Sequence, residues 1–182
     1  MKKFITLFLA FVLSMAAFAQ SEHMKFMGIP LDGTINAFQS KLAAKGIIPN
    51  VSENKNIPVG CRAFKGIFAG YKAYIYVYYD EKTKIVYSAK VCISMMDEGI
   101  LEQRYQEFKR LIKSKYYDDE IYARENIGSQ NEHELYAIVL EDLGSVGLFV
   151  SSEMYVTEYT LHVCYSDLKN SKRHSVSQLD DI

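Results

Sequence analysis

The stretch Tyr71–Met95, YKAYIYVYYDEKTKIVYSAKVCISM, holds two β-rich runs separated by the polar turn Asp80-Glu81-Lys82-Thr83. Side chains along a strand alternate between two faces. Tyr71, Ala73, Ile75, Val77 and Tyr79 therefore share one face, while Lys72, Tyr74, Tyr76 and Tyr78 share the other. In the second run Ile85, Tyr87, Ala89, Val91, Ile93 and Met95 form an apolar face, opposite Lys84, Val86, Ser88, Lys90, Cys92 and Ser94. Turn length decides how these faces combine, because a slip of one residue moves every side chain to the other side. A four-residue turn sets Tyr78 against Ile85 and draws the tyrosines into the core. An odd turn that includes Lys84 sets Tyr79 against Ile85 and Val77 against Tyr87. The second register is the favoured one, since it gathers Ala73, Ile75, Val77, Ile85, Ala89, Val91 and Ile93 on one dry face. Tyr74, Tyr76 and Tyr78 then stand beside Ser88, Lys90 and Cys92 as an exposed contact stripe, a use for which rigid amphipathic rings are suited. The competing expectation is that these rings merely pack across strands or lie under a helix.

Outward from this hairpin, Cys61–Phe68 reads as a third strand, with Gly66 marking a bulge and Gly70 a turn. Two stretches show helical spacing. Leu31, Ile35, Phe38 and Leu42 run at this spacing past Asp32, a candidate cap, and stop at Gly46; Leu101, Tyr105, Phe108 and Ile112 follow Asp97. Met24–Pro30 is a short extended lead-in, and Ile47–Gly60 is a long connection. After the second helix come another long connection at 116–132, with a short helix expected at Asp119–Arg124, and three strand candidates at Glu134–Leu140, Val146–Ser152 and Tyr155–Tyr165. The polar tail 167–182 is expected to be loose.

The N-terminus combines Lys2-Lys3, the apolar run Phe4–Ala17 and the small-residue site Ala17-Phe18-Ala19 before Gln20. That is the pattern of an export signal, too short for a membrane span, with cleavage expected near Ala19-Gln20. Removing residues 1–19 from the 182 leaves 163, with 19 basic against 22 acidic residues. A chain of that size can bury a real core. Its near-neutral balance argues against a nucleic-acid partner, and no second long apolar run suggests a membrane span in the mature chain. The compartment expected is periplasmic or extracellular.

The two halves match in element order. Leu31, Ile35, Phe38 and Leu42 correspond to Leu101, Tyr105, Phe108 and Ile112, and Val91-Cys92-Ile93-Ser94 corresponds to Val163-Cys164-Tyr165-Ser166. The expected fold class is α+β, made of two tandem helix-plus-three-strand antiparallel units at 20–96 and 97–166, with the helices packed on one face of the sheet. This pattern, from Leu31 to Ser166, resembles the architecture of the β-lactamase inhibitor protein family and more weakly the BamE-type outer-membrane assembly modules. The first likeness implies a concave sheet that binds another protein. Phe26-Met27-Gly28-Ile29-Pro30-Leu31-Asp32-Gly33-Thr34, with the Phe18-Ala19-Gln20 region, also resembles uncharacterised secreted proteins of Bacteroidetes, which implies a compartment and no activity.

Catalytic and metal constellations are sparse. Cys61, Cys92 and Cys164 all fall in strand candidates, and the odd count permits one disulfide with a free thiol or three buried thiols. His162 and Cys164 share a strand face but supply only half a zinc site, and as a nucleophile–base pair they lack a third group to orient the base. Glu132-His133-Glu134 reads as an exposed turn, and Asp118-Asp119-Glu120 and Glu141-Asp142 are short acidic runs, where a cation site would need more oxygen ligands at loop spacing. Phosphate loops and the G-x-S-x-G elbow are absent. The reading is a non-enzymatic, cofactor-free and metal-free interaction protein of the envelope, whose open face carries Tyr74, Tyr76, Tyr78, Lys90 and His162. Its expected partner is an envelope protein or peptide. The alternatives are a small-ligand or glycan-binding module, and a hydrolase of envelope material whose paired carboxylates leave no sequence trace.

Overall fold

The computed structural model describes residues 23–116, 125–130, 133–140, 142–152 and 158–179. The expected leader and its cleavage site, the short helix at Asp119–Arg124 and Asp118-Asp119-Glu120 lie outside the described residues, as does the start of Glu132-His133-Glu134.

The fold is α+β. A small hairpin of β1 (Lys25–Phe26) and β2 (Ile29–Pro30) precedes α1 (Ile35–Ala43). There follow β3 (Ile48–Pro49), β4 (Cys61–Phe68), β5 (Tyr71–Tyr79), β6 (Val86–Met95), α2 (Glu98–Tyr116), β7 (Glu125–Gln130), β8 (His133–Leu140), β9 (Gly144–Ser152), β10 (Tyr159–Asp167) and α3 (Leu168–Leu179). Strands β3 to β10 form one antiparallel sheet of eight, in the order β3-β4-β5-β6-β10-β9-β8-β7.

This corrects the expectation of three strands in each half. The sheet is continuous, and β3 and β7 add an edge strand on each side where long connections were expected. The segment around Pro49 looks like a linker because Pro donates no ladder hydrogen bond. It can still occupy an edge, where β3 pairs Ile48 with Lys65 and Pro49 with Phe64.

Both helix stripes behave as their spacing requires. Ile35, Phe38 and Leu42 of α1, and Leu101, Tyr105, Phe108 and Ile112 of α2, are buried in one cluster with Ile75, Val77, Val91, Val163 and Leu148 of the sheet. Phe68 stacks on both Phe26 and Phe108, at centroid distances of 5.8 and 6.0 Å. The cap of α1 is Thr34, whose hydroxyl oxygen accepts from the Ala37 amide, rather than Asp32. Gly33 lies between them at φ +67°, so the chain has not yet taken up the extended conformation that a cap needs. Asp97 caps α2, accepting from the Ile100 amide at 2.8 Å.

The hairpin that decides the fold keeps Ala73, Ile75, Val77, Ala89, Val91 and Ile93 on the dry face, but buries Val86 there in place of Ile85 and Tyr87 and does not keep the favoured pairing. Asp80 holds the turn, accepting from the amides of Lys82 and Thr83 and from the Thr83 hydroxyl, while Lys84 turns at φ +63°. Tyr79 then pairs with Val86, but Tyr78 pairs with Ser88 and Val77 with Ala89. Tyr87 is thus the extra residue of a bulge. Continued without it, the Tyr79–Val86 pairing would set Val77 against Ser88. The bulge restores an apolar face of Ala73, Ile75 and Val77 against Ala89, Val91 and Ile93. Gly66 is not a bulge, since it pairs in register with Ala73. A Cβ there would lie 2.4 Å from Cδ1 of buried Ile47, so it is the close approach of that residue that requires glycine. The β4–β5 turn is Ala69-Gly70, both left-handed at φ +48° and +89°.

The tail expected to be loose is helix α3, tied down by polar residues. The fully buried Asp167 carboxylate accepts from the amides of Met24 and Asn170 at 2.8 Å and is 3.1 Å from His23 Nδ1. Asn170 in turn donates to the carbonyls of Leu31 and Val86. His174 stacks on Tyr87 and sits 3.0 Å from Asp80, so α3 clasps the turn end of the β5–β6 hairpin.

Phe38→Ala and Phe108→Ala should each destabilise the protein by about 3–5 kcal/mol in denaturant titrations, as loss of a buried aromatic does. Ala69→Asn should raise stability by roughly 0.5–1 kcal/mol, because Asn tolerates the left-handed conformation better than Ala. A lower thermal midpoint for Ala69→Asn would contradict the turn geometry.

Candidate functional site

The sheet face away from α1 and α2 is built of rows of side chains from β4, β5, β6, β10 and β9. One row runs Lys65, Tyr74, Cys92, His162, Phe149. The next runs Ala63, Tyr76, Lys90, Cys164, Gly147, and the third runs Cys61, Tyr78, Ser88, Ser166, Ser145. All five residues singled out from the sequence, Tyr74, Tyr76, Tyr78, Lys90 and His162, thus lie on one face. So do the three cysteines, every one a free thiol.

The stripe is only partly exposed. Tyr74 is 48% accessible, Tyr76 and Tyr78 are half-buried, and His162 is 9% accessible. The Tyr76 hydroxyl donates to Glu53 at 3.2 Å, and burial together with that carboxylate pushes the phenol up to about 12. Lys90, half-buried at the centre, places Nζ 5.5 Å from the centroid of the Tyr76 ring. Burial works against its charge, yet its neighbours Tyr78, Cys92 and Cys164 leave the ammonium above its ordinary value. Among the described residues no carboxylate pairs with Lys90. The Tyr76 ring, the Tyr78 hydroxyl and nearby thiols surround it instead.

Sequence spacing drew attention to His162 with Cys164. The imidazole instead contacts Cys92, whose Sγ is 3.3 Å from Nδ1, and Ser151, whose Oγ is 2.7 Å from Nε2, while Phe149 stacks on the ring at 4.4 Å. No sequence signal links Cys92 to His162, because they meet only through β6–β10 pairing. The third group missing from the sequence reading is therefore present, but the electrostatics do not make an activated nucleophile. Burial pushes the Cys92 thiol up to about 11, partly offset by Lys90. Burial and Lys90 push the His162 imidazole down to about 4. A thiolate–imidazolium pair needs the opposite shifts. The neutral chain Ser151–His162–Cys92 locks ring orientation across three strands. Among the described residues no group of three or more His, Cys, Asp or Glu side chains is placed to hold a metal ion.

Two concavities open on this face. One, of about 420 Å³, lies towards the β3 edge and includes Ile48, Lys65, Ile67, Lys72, Tyr74, Cys92 and Ser94. A second, of about 310 Å³, shares Lys65 and Tyr74 and is lined otherwise by Asn50, Ser52, Glu53 and Tyr76. No helix among the described residues is long and apolar enough to cross a membrane. Compared with protein-family models, curated proteins and solved structures, the chain matches none.

His162 has a lowered folded value, so the unfolded chain binds more protons between about 4 and 6.5. Its contribution is intact above pH 6.5 and is lost as pH falls through that window. Denaturant titrations should show wild-type stability falling there and a flatter profile for His162→Phe. The raised Cys92 thiol should make its alkylation by iodoacetamide, followed by peptide mapping, accelerate about tenfold per pH unit through pH 9 without a plateau.

Proposed function

We propose that this chain is an exported, non-enzymatic interaction protein that takes a protein or peptide partner on the open sheet face. The observation that carries this reading is Lys90, a half-buried ammonium with no carboxylate partner among the described residues, set between Tyr76 and Tyr78. A monomer gains little by holding a cation among rings, whereas a partner carboxylate would complete the site with a charge-assisted hydrogen bond in a partly dry setting. Lys65 and Lys72 extend the same sign along the face, so the partner segment is acidic. Tyrosines flanking a cation are the side chains expected at the energetic centre of such a contact.

The proposal includes an ancestral duplication. The strand order β3-β4-β5-β6 followed by β10-β9-β8-β7 places corresponding strands at equal distances from the centre, which supports two copies of one helix-and-hairpin unit joined at β6–β10. That architecture is what suggested a likeness to β-lactamase inhibitor proteins, in which such a sheet binds another protein. The N-terminal pattern Lys2-Lys3, Phe4–Ala17 and Ala17-Phe18-Ala19 supports export with cleavage before Gln20.

The test is photo-crosslinking in the native envelope, with the crosslinker at Tyr76 and, as control, at Arg110, which is exposed on α2. A discrete protein adduct at Tyr76 alone, lost in Lys90→Glu, is the expected result. Adducts at both positions, or at neither, would sink the protein-partner reading.

A further inference from the structure

We propose that the concavity at the β3 edge of the open face is itself a binding site for a small organic carboxylate with an apolar chain. The argument starts with what lines it. Lys65 stands opposite Tyr74 and Ile67 opposite Lys72, so two cations and two apolar groups alternate across the β4–β5 pair. Ile48, opposite Lys65, extends the apolar side. Ile48, Ile67 and Tyr74 are 51%, 53% and 48% exposed, a cluster of large apolar groups left in water at a single place. Neither lysine forms an ion pair among the described residues.

Two ammonium groups next to a patch of isoleucine and tyrosine complement a carboxylate that carries a hydrocarbon body. Space agrees, because about 420 Å³ lies within the range that holds a small molecule. A cationic or sugar ligand would meet two like charges or lose its hydroxyl partners against Ile48 and Ile67. Cys92 and Ser94 of β6 complete the lining.

The test uses the full chain labelled with 15N and two probes of equal chain length, decanoate and decyltrimethylammonium, both below their micelle concentrations. Decanoate should shift amide resonances of Ile67, Lys72, Tyr74, Cys92 and Ser94 in a saturable way, and decyltrimethylammonium should not. The double variant Lys65→Gln with Lys72→Gln should keep its thermal midpoint and bind decanoate about tenfold more weakly, as loss of two solvent-accessible charge contacts implies. Equal shifts with both probes would show a merely greasy patch and overturn the proposal. Absence of saturable shifts, shifts elsewhere on the protein, or unchanged affinity in the double variant would also overturn it. Lys65 and Lys72 also extend the partner face, but the two readings part in this test: a Tyr76 adduct that persists in the double variant, with no decanoate binding, removes this site and leaves that reading standing.

Discussion

The β6–β10 pairing is the constraint on which the rest of the molecule depends. Every other strand pair in the large sheet joins neighbours in sequence, whereas this one aligns Ser88–Met95 with Tyr159–Ser166 across a long separation. Closing so long a loop is costly, and the gain must come from contacts made at the same time. The seam supplies them on both faces. Ala89, Val91 and Ile93 meet Tyr165, Val163 and Leu161 on the dry side, while on the wet side Cys92 meets His162 and the Ser88 hydroxyl donates to the Tyr165 carbonyl. Core and candidate site are two sides of one ladder.

That ladder works only because β6 carries one extra residue. The Asp80-centred turn fixes the Tyr79–Val86 pair, and this register, continued, would turn half the aliphatic residues outward. Tyr87 absorbs the mismatch, and α3 covers the irregularity by stacking His174 on the bulged ring. Helix α3 is in turn positioned by Asp167 and Asn170, whose buried groups bind the backbone of Met24, Leu31 and Val86. Buried polar groups are tolerable when fully bonded, and here they specify where the lead-in strand and the last helix attach.

The open face shows how a chemical cluster can be assembled without becoming a reactive one. A thiol, an imidazole and a hydroxyl stand in a line, yet burial favours the neutral form of both titratable members, reinforced at His162 and only partly offset at Cys92 by the Lys90 ammonium. What remains available to a ligand is the fixed charge of Lys90, Lys65 and Lys72, the tyrosine rings, and two shallow concavities.

Much of the fold was legible in the residues. Period-two alternation located β4, β5 and β6, and the spacing of Ile35, Phe38 and Leu42 and of Leu101, Tyr105, Phe108 and Ile112 located α1 and α2, because those patterns follow from backbone geometry. Alternation also placed Tyr74, Tyr76, Tyr78 and Lys90 on a common face. Other features were decided only by tertiary contact. Edge strand β3 contains a proline and pairs through just two residues, so it carries no periodic pattern. Helix α3 is polar, and its anchors Asp167 and Asn170 are recognisable only when the carbonyls and amides they satisfy are in place. The approach of His162 to Cys92 rather than Cys164 required two distant strands to find one register. Local periodicity is written in neighbouring residues, whereas register, bulges and cross-strand partners depend on which distant surfaces bury each other best.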